Sequence, residues 1–327
     1  MKNCIFSTGK GDDRHVIIAS LYQLGAFGFG QQEGGFKWKR SRETSMITGL
    51  NGKAMELTIT ETIGGLPVTA IGNNAFKNKN LTSVVIPESV TEIGDSAFRG
   101  NFLTFVNFPR GVNRIGAGAF YGNRLTNIVI PEGVTVIEGF TFQNNNLINI
   151  NLPNTVRTIG TYAFSNNELT GTLRLPNSIR SIGIAAFEKN HLSGTLEIPQ
   201  SVAEIGTMAF SNNFLSGINL PGGITVISAM AFSNNRLTEI NIPASVAVIE
   251  ERAFAFNQIS EVVIPENIRE IKNNVFGDNP ITRVTIGNGV TLHNSSFANG
   301  FAAFYNDSRV GKRSGTYVYT NWAWTIQ

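Results

Sequence analysis

Nine prolines set the first constraint on this chain: Pro87, Pro109, Pro131, Pro153, Pro176, Pro199, Pro221, Pro243 and Pro265 follow one another at intervals of 22 or 23 residues. A fixed period of that length is the signature of a solenoid, in which each repeat is one coil that buries its apolar side only by stacking on the next. In step with the prolines run an isoleucine series (Ile71, Ile93, Ile115, continuing to Ile271) and a phenylalanine series (Phe76, Phe98, Phe120, continuing to Phe297). Such a chain needs no division into ordinary globular domains, because the core is continuous at any length.

Residues 81–102 show the physical job of each position. Leu81, Val84 and Ile86 fit a short strand with apolar side chains pointing into the coil and Ser83 and Val85 pointing out. Pro87 ends the strand, where a missing backbone donor costs least. Val90 and Ile93 face inward from a second extended segment, Gly94 permits a tight bend, and Ala97 and Phe98 fill the centre from a short helical turn. A column of asparagines, Asn101, Asn123, Asn145 and onward to Asn279, stands two residues before each strand. Its amides can satisfy loop backbone groups that stacking would otherwise bury unpaired. Equivalent copies in successive coils mark this column as architecture.

The expected fold is therefore a β-rich α/β leucine-rich-repeat solenoid, with a parallel sheet on one face and short helical turns and extended segments on the other. Residues 46–297 form the coils, residues 1–45 a leader and N-terminal cap, and residues 298–327 a C-terminal cap. About ten strands at about 4.8 Å spacing make a sheet roughly 45 Å across, wide enough for a protein-sized partner. Two coils carry one extra residue, around Gly171-Thr172 and Gly194-Thr195, which predicts a bulge in the sheet.

The pattern resembles the BspA-like, or Treponema-type, leucine-rich repeats over most of the chain. Several positions recur together in register, and residues 47–76 resemble that family's irregular first coil, with Thr60 where later coils have proline. The segment with Phe301, Tyr305, Tyr317 and Trp324 resembles the closing segment of some members; asparagine stands here where many members carry cysteine before the strand. The resemblance implies a right-handed solenoid and surface binding or adhesion by bacterial or parasite proteins. It supplies no catalytic residues to carry over, so it implies a class of function only.

Composition narrows the partners. A net charge of +3 without a block of like charges gives no concentrated basic patch for nucleic acid. Cys4 is the one cysteine, which excludes an intrachain disulfide and a multi-cysteine zinc site. His15, His191 and His293 have no second histidine at metal-ligand spacing, and nucleophile-elbow, zincin and P-loop patterns are absent. No cofactor and no catalysis are expected. His191 reads as an ordinary exposed side chain.

Residues 16–29, preceded by Lys2, Lys10, Arg14 and His15 and closed by Gly28-Phe29-Gly30, read as an export signal within residues 1–30. Against this, Asp12 and Asp13 interrupt the basic region and Tyr22 and Gln23 the apolar run, as in a buried capping segment. The run is too short and interrupted for a membrane span. Export places the protein outside the cytoplasm or at the cell surface; a retained cap makes it an intracellular scaffold.

What varies between coils is the outward face of the strands. Val85, Phe105 and Val129, with Phe102 just ahead of its strand and Asn107 and Asn127 beside them, form the candidate binding patch for a protein or extracellular-matrix macromolecule. The alternative is that the N-terminal segment folds back over these residues and makes them core. Phe214 is a lesser candidate. The oligomeric state is not legible in the sequence.

Overall fold

The computed structural model describes residues 16–17, 31–33, 35–52 and 54–327. It is a β-solenoid of about 11 turns with very little helix. Each coil contributes to two ladders of parallel strands. The proline-side ladder pairs Glu56–Thr58 with Ser83–Val85, Asn127–Val129 with Asn149–Asn151, and Glu261–Val263 with Arg283–Ile286. The isoleucine-side ladder sets Ile71 opposite Ile93 and Ile93 opposite Ile115. Like residues stack on like because the period of the sequence equals one turn of the coil.

Alternation explains the burial. Leu81, Val84, Ile86, Val90 and Ile93 are buried, while Ser83 and Val85 between them are exposed. Phenylalanine fills the centre, and consecutive rings from Phe76 to Phe297 stack at 4.8–5.8 Å. The column is closed at both ends by a perpendicular ring, Phe36 against Phe76 at 6.4 Å and Phe301 against Phe297 at 5.0 Å. Edge-to-face contact lets an apolar ring end a stack without exposing its face.

Three local expectations change. The bend at Ala97 and Phe98 is not a helical turn: Ala97 N–H closes a turn on the Gly94 carbonyl, and Arg99 N–H closes the next on Ser96. The alternate donors, Ser96, Phe98 and Gly100 N–H, go to Ala117, Ala119 and Tyr121 of the following coil. A helix would spend all of these donors inside its own coil, whereas stacked turns use half of them to join coils. Gly94, in turn, is required by close approach, since a Cβ there would lie 2.7 Å from Asn73 N and 2.8 Å from Gly72 C.

The third change concerns the sheet. The proline-side ladder is not one continuous sheet; its strand pairing lapses at the coil of Phe105, between Asn149–Asn151 and Thr170–Gly171, and at residues 237–242. At the first lapse Phe108 occupies the inward place held by Ile86 and Ile130 in the flanking coils, and packs edge-on against Phe120 at 5.3 Å. The lengthened coils do carry the expected bulge, a register shift between Gly194 and Thr195, with Gly171 and Gly194 at φ of 68° and 74°.

Beyond the coils, Phe36–Ser41 runs antiparallel to Thr44–Leu50, which pairs in parallel with Leu66–Ile71 on the isoleucine side. Val16–Ile17 pairs in parallel with Glu56–Thr58. At the other end the helix Phe301–Asn306 leads to Gly315–Thr320, antiparallel to Arg283–Ile286, and back through Ala323–Ile326. Buried Trp324 donates its indole N–H to the Asn299 carbonyl at 2.9 Å, so the indole that covers the last rings is itself paired.

Candidate functional site

The asparagine column is the strongest polar feature of the interior. Asn123 Oδ1 accepts the Leu103 N–H at 3.1 Å, while its Nδ2 donates to Phe98 O at 2.9 Å and Phe120 O at 3.1 Å. The same three-point clamp recurs at Asn101, Asn145, Asn167, Asn190 and Asn213. These side chains are buried and fully committed to backbone, so they hold the fold and leave no group for a ligand.

Function must therefore lie outside. On the proline-side face Val85, Phe105 and Val129 are 58%, 63% and 67% exposed, and Phe102, Asn107 and Asn127 are exposed as well. The coil period puts Val85, Asn107 and Val129 in one column and Ser83, Phe105 and Asn127 in the next, so the apolar side chains meet diagonally rather than in a row. Phe105 sits in the coil where strand pairing lapses. Arg124 lies over the Phe102 ring, 4.5 Å from its centroid, so one face of that ring is already occupied. Most of the run read as an export signal, residues 18–29, lies outside the described residues.

A second feature went unrecognised in the sequence. The strand of the second lengthened coil starts early, at His191, as does that of the coil after it, at Phe214, and they run seven and six residues. Pairing at this point brings the His191 and Phe214 rings into parallel contact at 5.5 Å and 2°. Glu168 Oε2 lies 2.9 Å from His191 Nδ1, and the Arg236 guanidinium lies 4.3 Å from the Phe214 centroid. Four coils thus contribute one ordered row, bordering a groove of about 690 Å³. His191 is exposed, as expected, but it is part of this row rather than isolated.

Among the described residues no group of three or more His, Cys, Asp or Glu could hold a metal ion, and no helix is long and apolar enough to cross a membrane. The family model for the BspA type leucine rich repeat region matches residues 69–193 and 192–302, most of the chain. The chain belongs to the BspA-type leucine-rich-repeat family. The fold agrees with that of pneumococcal vaccine antigen PcpA, at 16% identity and a TM-score of 0.51, covering 83% of this chain and 91% of that one. Two further solved structures are similar. One is a leucine rich cell surface protein of Faecalibacterium prausnitzii (23% identity, TM-score 0.41, 77% of this chain and 93% of that one). The other is a leucine-rich repeat protein of Bacteroides ovatus (19% identity, TM-score 0.47, 85% and 69%). No curated protein matches the sequence. Within this BspA-type chain the inward ladders repeat from coil to coil, whereas the outward columns change.

Proposed function

We propose that this BspA-type protein is a non-enzymatic binding or adhesion module that takes a protein or extracellular-matrix macromolecule on the outward face of its proline-side ladder. One observation carries the reading: inward positions repeat as buried Leu, Ile and Val, whereas the exposed positions change from coil to coil and bring Val85, Phe105 and Val129 into one neighbourhood. Exposed apolar side chains grouped among polar neighbours mark interaction surfaces. Flanking Asn107 and Asn127 supply donors and acceptors around them, as the rim of an interface does.

The test is capture from extracellular-matrix and cell-surface extracts by the folded chain and by a Val85→Asp/Val129→Asp variant. The reading expects captured proteins that the variant no longer retains while its melting temperature is unchanged. Equal capture by both would remove the patch from the account.

Placement outside the cytoplasm rests on residues 16–29 as an export signal, and sequencing the mature N-terminus tests it. A second reading, an intracellular scaffold that keeps these residues as a cap, is favoured by the pairing of Val16–Ile17 with Glu56–Thr58. An intact Met1 on the native protein would support the scaffold.

A further inference from the structure

The groove beside the proline-side ladder is built differently from the apolar patch. Its backbone is spent: Asn212 and Asn213 N–H go to Ser233 and Asn234 of the next coil, and Asn234 and Asn235 N–H go to Ala255 and Phe256. A ligand here meets side chains only, which removes the main-chain pairing by which an extended peptide joins a sheet edge. Its floor is the buried asparagine column, and Phe214 and Phe256 are the exposed apolar side chains of its lining.

The side chains that remain have a definite chemistry. Asn212 and Asn234 are exposed along the groove, and a primary amide offers both donors and an acceptor, the complement of a hydroxyl; Asn212 Nδ2 spends one donor on Ser211 Oγ at 3.0 Å and keeps the other. Repetition of the coil repeats such groups at about 4.8 Å, which suits a ligand with hydroxyls at regular intervals. A volume of about 690 Å³ accommodates several sugar rings.

Arg236 supplies the charge. Lys189 and His191 of the groove lining have carboxylate neighbours, Glu188 at 3.7 Å and Glu168 at 2.9 Å. The Arg236 side chain has no ion pair or hydrogen bond among the described residues. Its guanidinium carbon lies 4.3 Å from the centroid of Phe214, which stacks on His191, which Glu168 holds. A guanidinium oriented by an aromatic ring keeps its N–H fork free for a planar or tetrahedral oxyanion.

We propose that this groove binds an acidic oligosaccharide, with its carboxylate or sulfate on Arg236 and its hydroxyls on the Asn212 and Asn234 amides. The partner class differs from that of the apolar patch, and the two sites act independently.

Calorimetric titration of the full chain at about 0.15 M salt, where weak surface attraction is screened, tests it. The probes are a heparin-derived hexasaccharide (sulfated), hexagalacturonate (carboxylated), cellohexaose (neutral) and hexaglutamate (an acidic peptide). At least one acidic sugar should bind, and cellohexaose and hexaglutamate should not. Arg236→Gln should weaken binding about tenfold, the loss expected for a charge-assisted hydrogen-bond pair. Phe214→Ala should weaken it similarly by freeing the guanidinium, with melting unchanged in both variants. Arg180→Gln, on an exposed arginine outside the groove, should leave the titration unaltered. Failure of both acidic sugars to bind, equal binding of hexaglutamate, or an equal loss in Arg180→Gln would overturn the proposal.

Discussion

Asn190 Oδ1 accepts the Leu169 N–H of the preceding coil at 3.1 Å, and through its Nδ2 the same amide holds Phe164 O at 3.0 Å and Phe187 O at 3.2 Å. One side chain thus satisfies three buried backbone groups in two coils. Asn190→Ala leaves the Leu169 N–H without its acceptor, while Phe164 O and Phe187 O each lose one of two amide donors and keep those of Asn167 and Asn213. Since an unsatisfied buried group costs about 1–3 kcal/mol, urea denaturation should show a loss of that size, about 1–3 kcal/mol. A loss below about 1 kcal/mol would mean the clamp does not hold the coils together.

The second prediction follows from backbone strain. Met208 sits at φ 58°, and the equivalent positions Asn74 and Asn274 have φ of 58° and 54°. Left-handed backbone costs most L-residues about 1–2 kcal/mol, and asparagine tolerates it better than methionine. Met208→Asn should therefore raise stability by about 1 kcal/mol in the same denaturation assay. A destabilised variant would show that the partly buried thioether contributes more than the strain removes.

In the C-terminal segment Asp307 accepts Arg309 Nε at 2.9 Å and Nη2 at 2.8 Å, together with the Arg309 backbone N–H at 2.8 Å. These bonds to the Arg309 side chain, then the backbone bond, favour the carboxylate and lower the Asp307 pKa to about 2. A folded-state pKa below the unfolded value means the contribution is present above the ordinary carboxylate range and is lost as pH falls toward 2. Carboxyl carbon chemical shifts should show Asp307 titrating near 2 in the native chain and back in the ordinary range in Arg309→Gln. An Asp307 that titrates normally in the native protein would disprove the pairing in solution.

Much of this fold is legible in the sequence because the period fixes which residues stack. Leu81, Ile93 and Phe98 announce their burial by recurring, and Asn101 announces its clamp by recurring two residues before a strand. The stacked turns had a readable signal too. Asn78, Gly100, Gly122 and Asn144 hold one column, and asparagine and glycine are the residues that left-handed backbone favours. Phe140 and Tyr162 carry no such signal, yet they take φ of 62° and 55° because neighbouring coils impose it.

The groove was less accessible from sequence for a physical reason. His191, Phe214 and Arg236 look like unrelated surface residues at a variable position, and the early strand starts at His191 and Phe214 accompany their approach in the fold. The apolar patch was legible as a pattern of outward positions, with the lapse in strand pairing at Phe105 set by tertiary packing around Phe108.

The most direct test of the binding account is a paired measurement on Phe105→Asp: affinity for whatever partner the wild-type chain captures, and the melting temperature of the same sample. With Phe105 63% exposed, the account predicts at least about tenfold weaker binding, as at an interface hot spot, with melting unchanged. A lower melting temperature would show Phe105 to be core, and unchanged affinity would show that the partner docks elsewhere; either result contradicts the account.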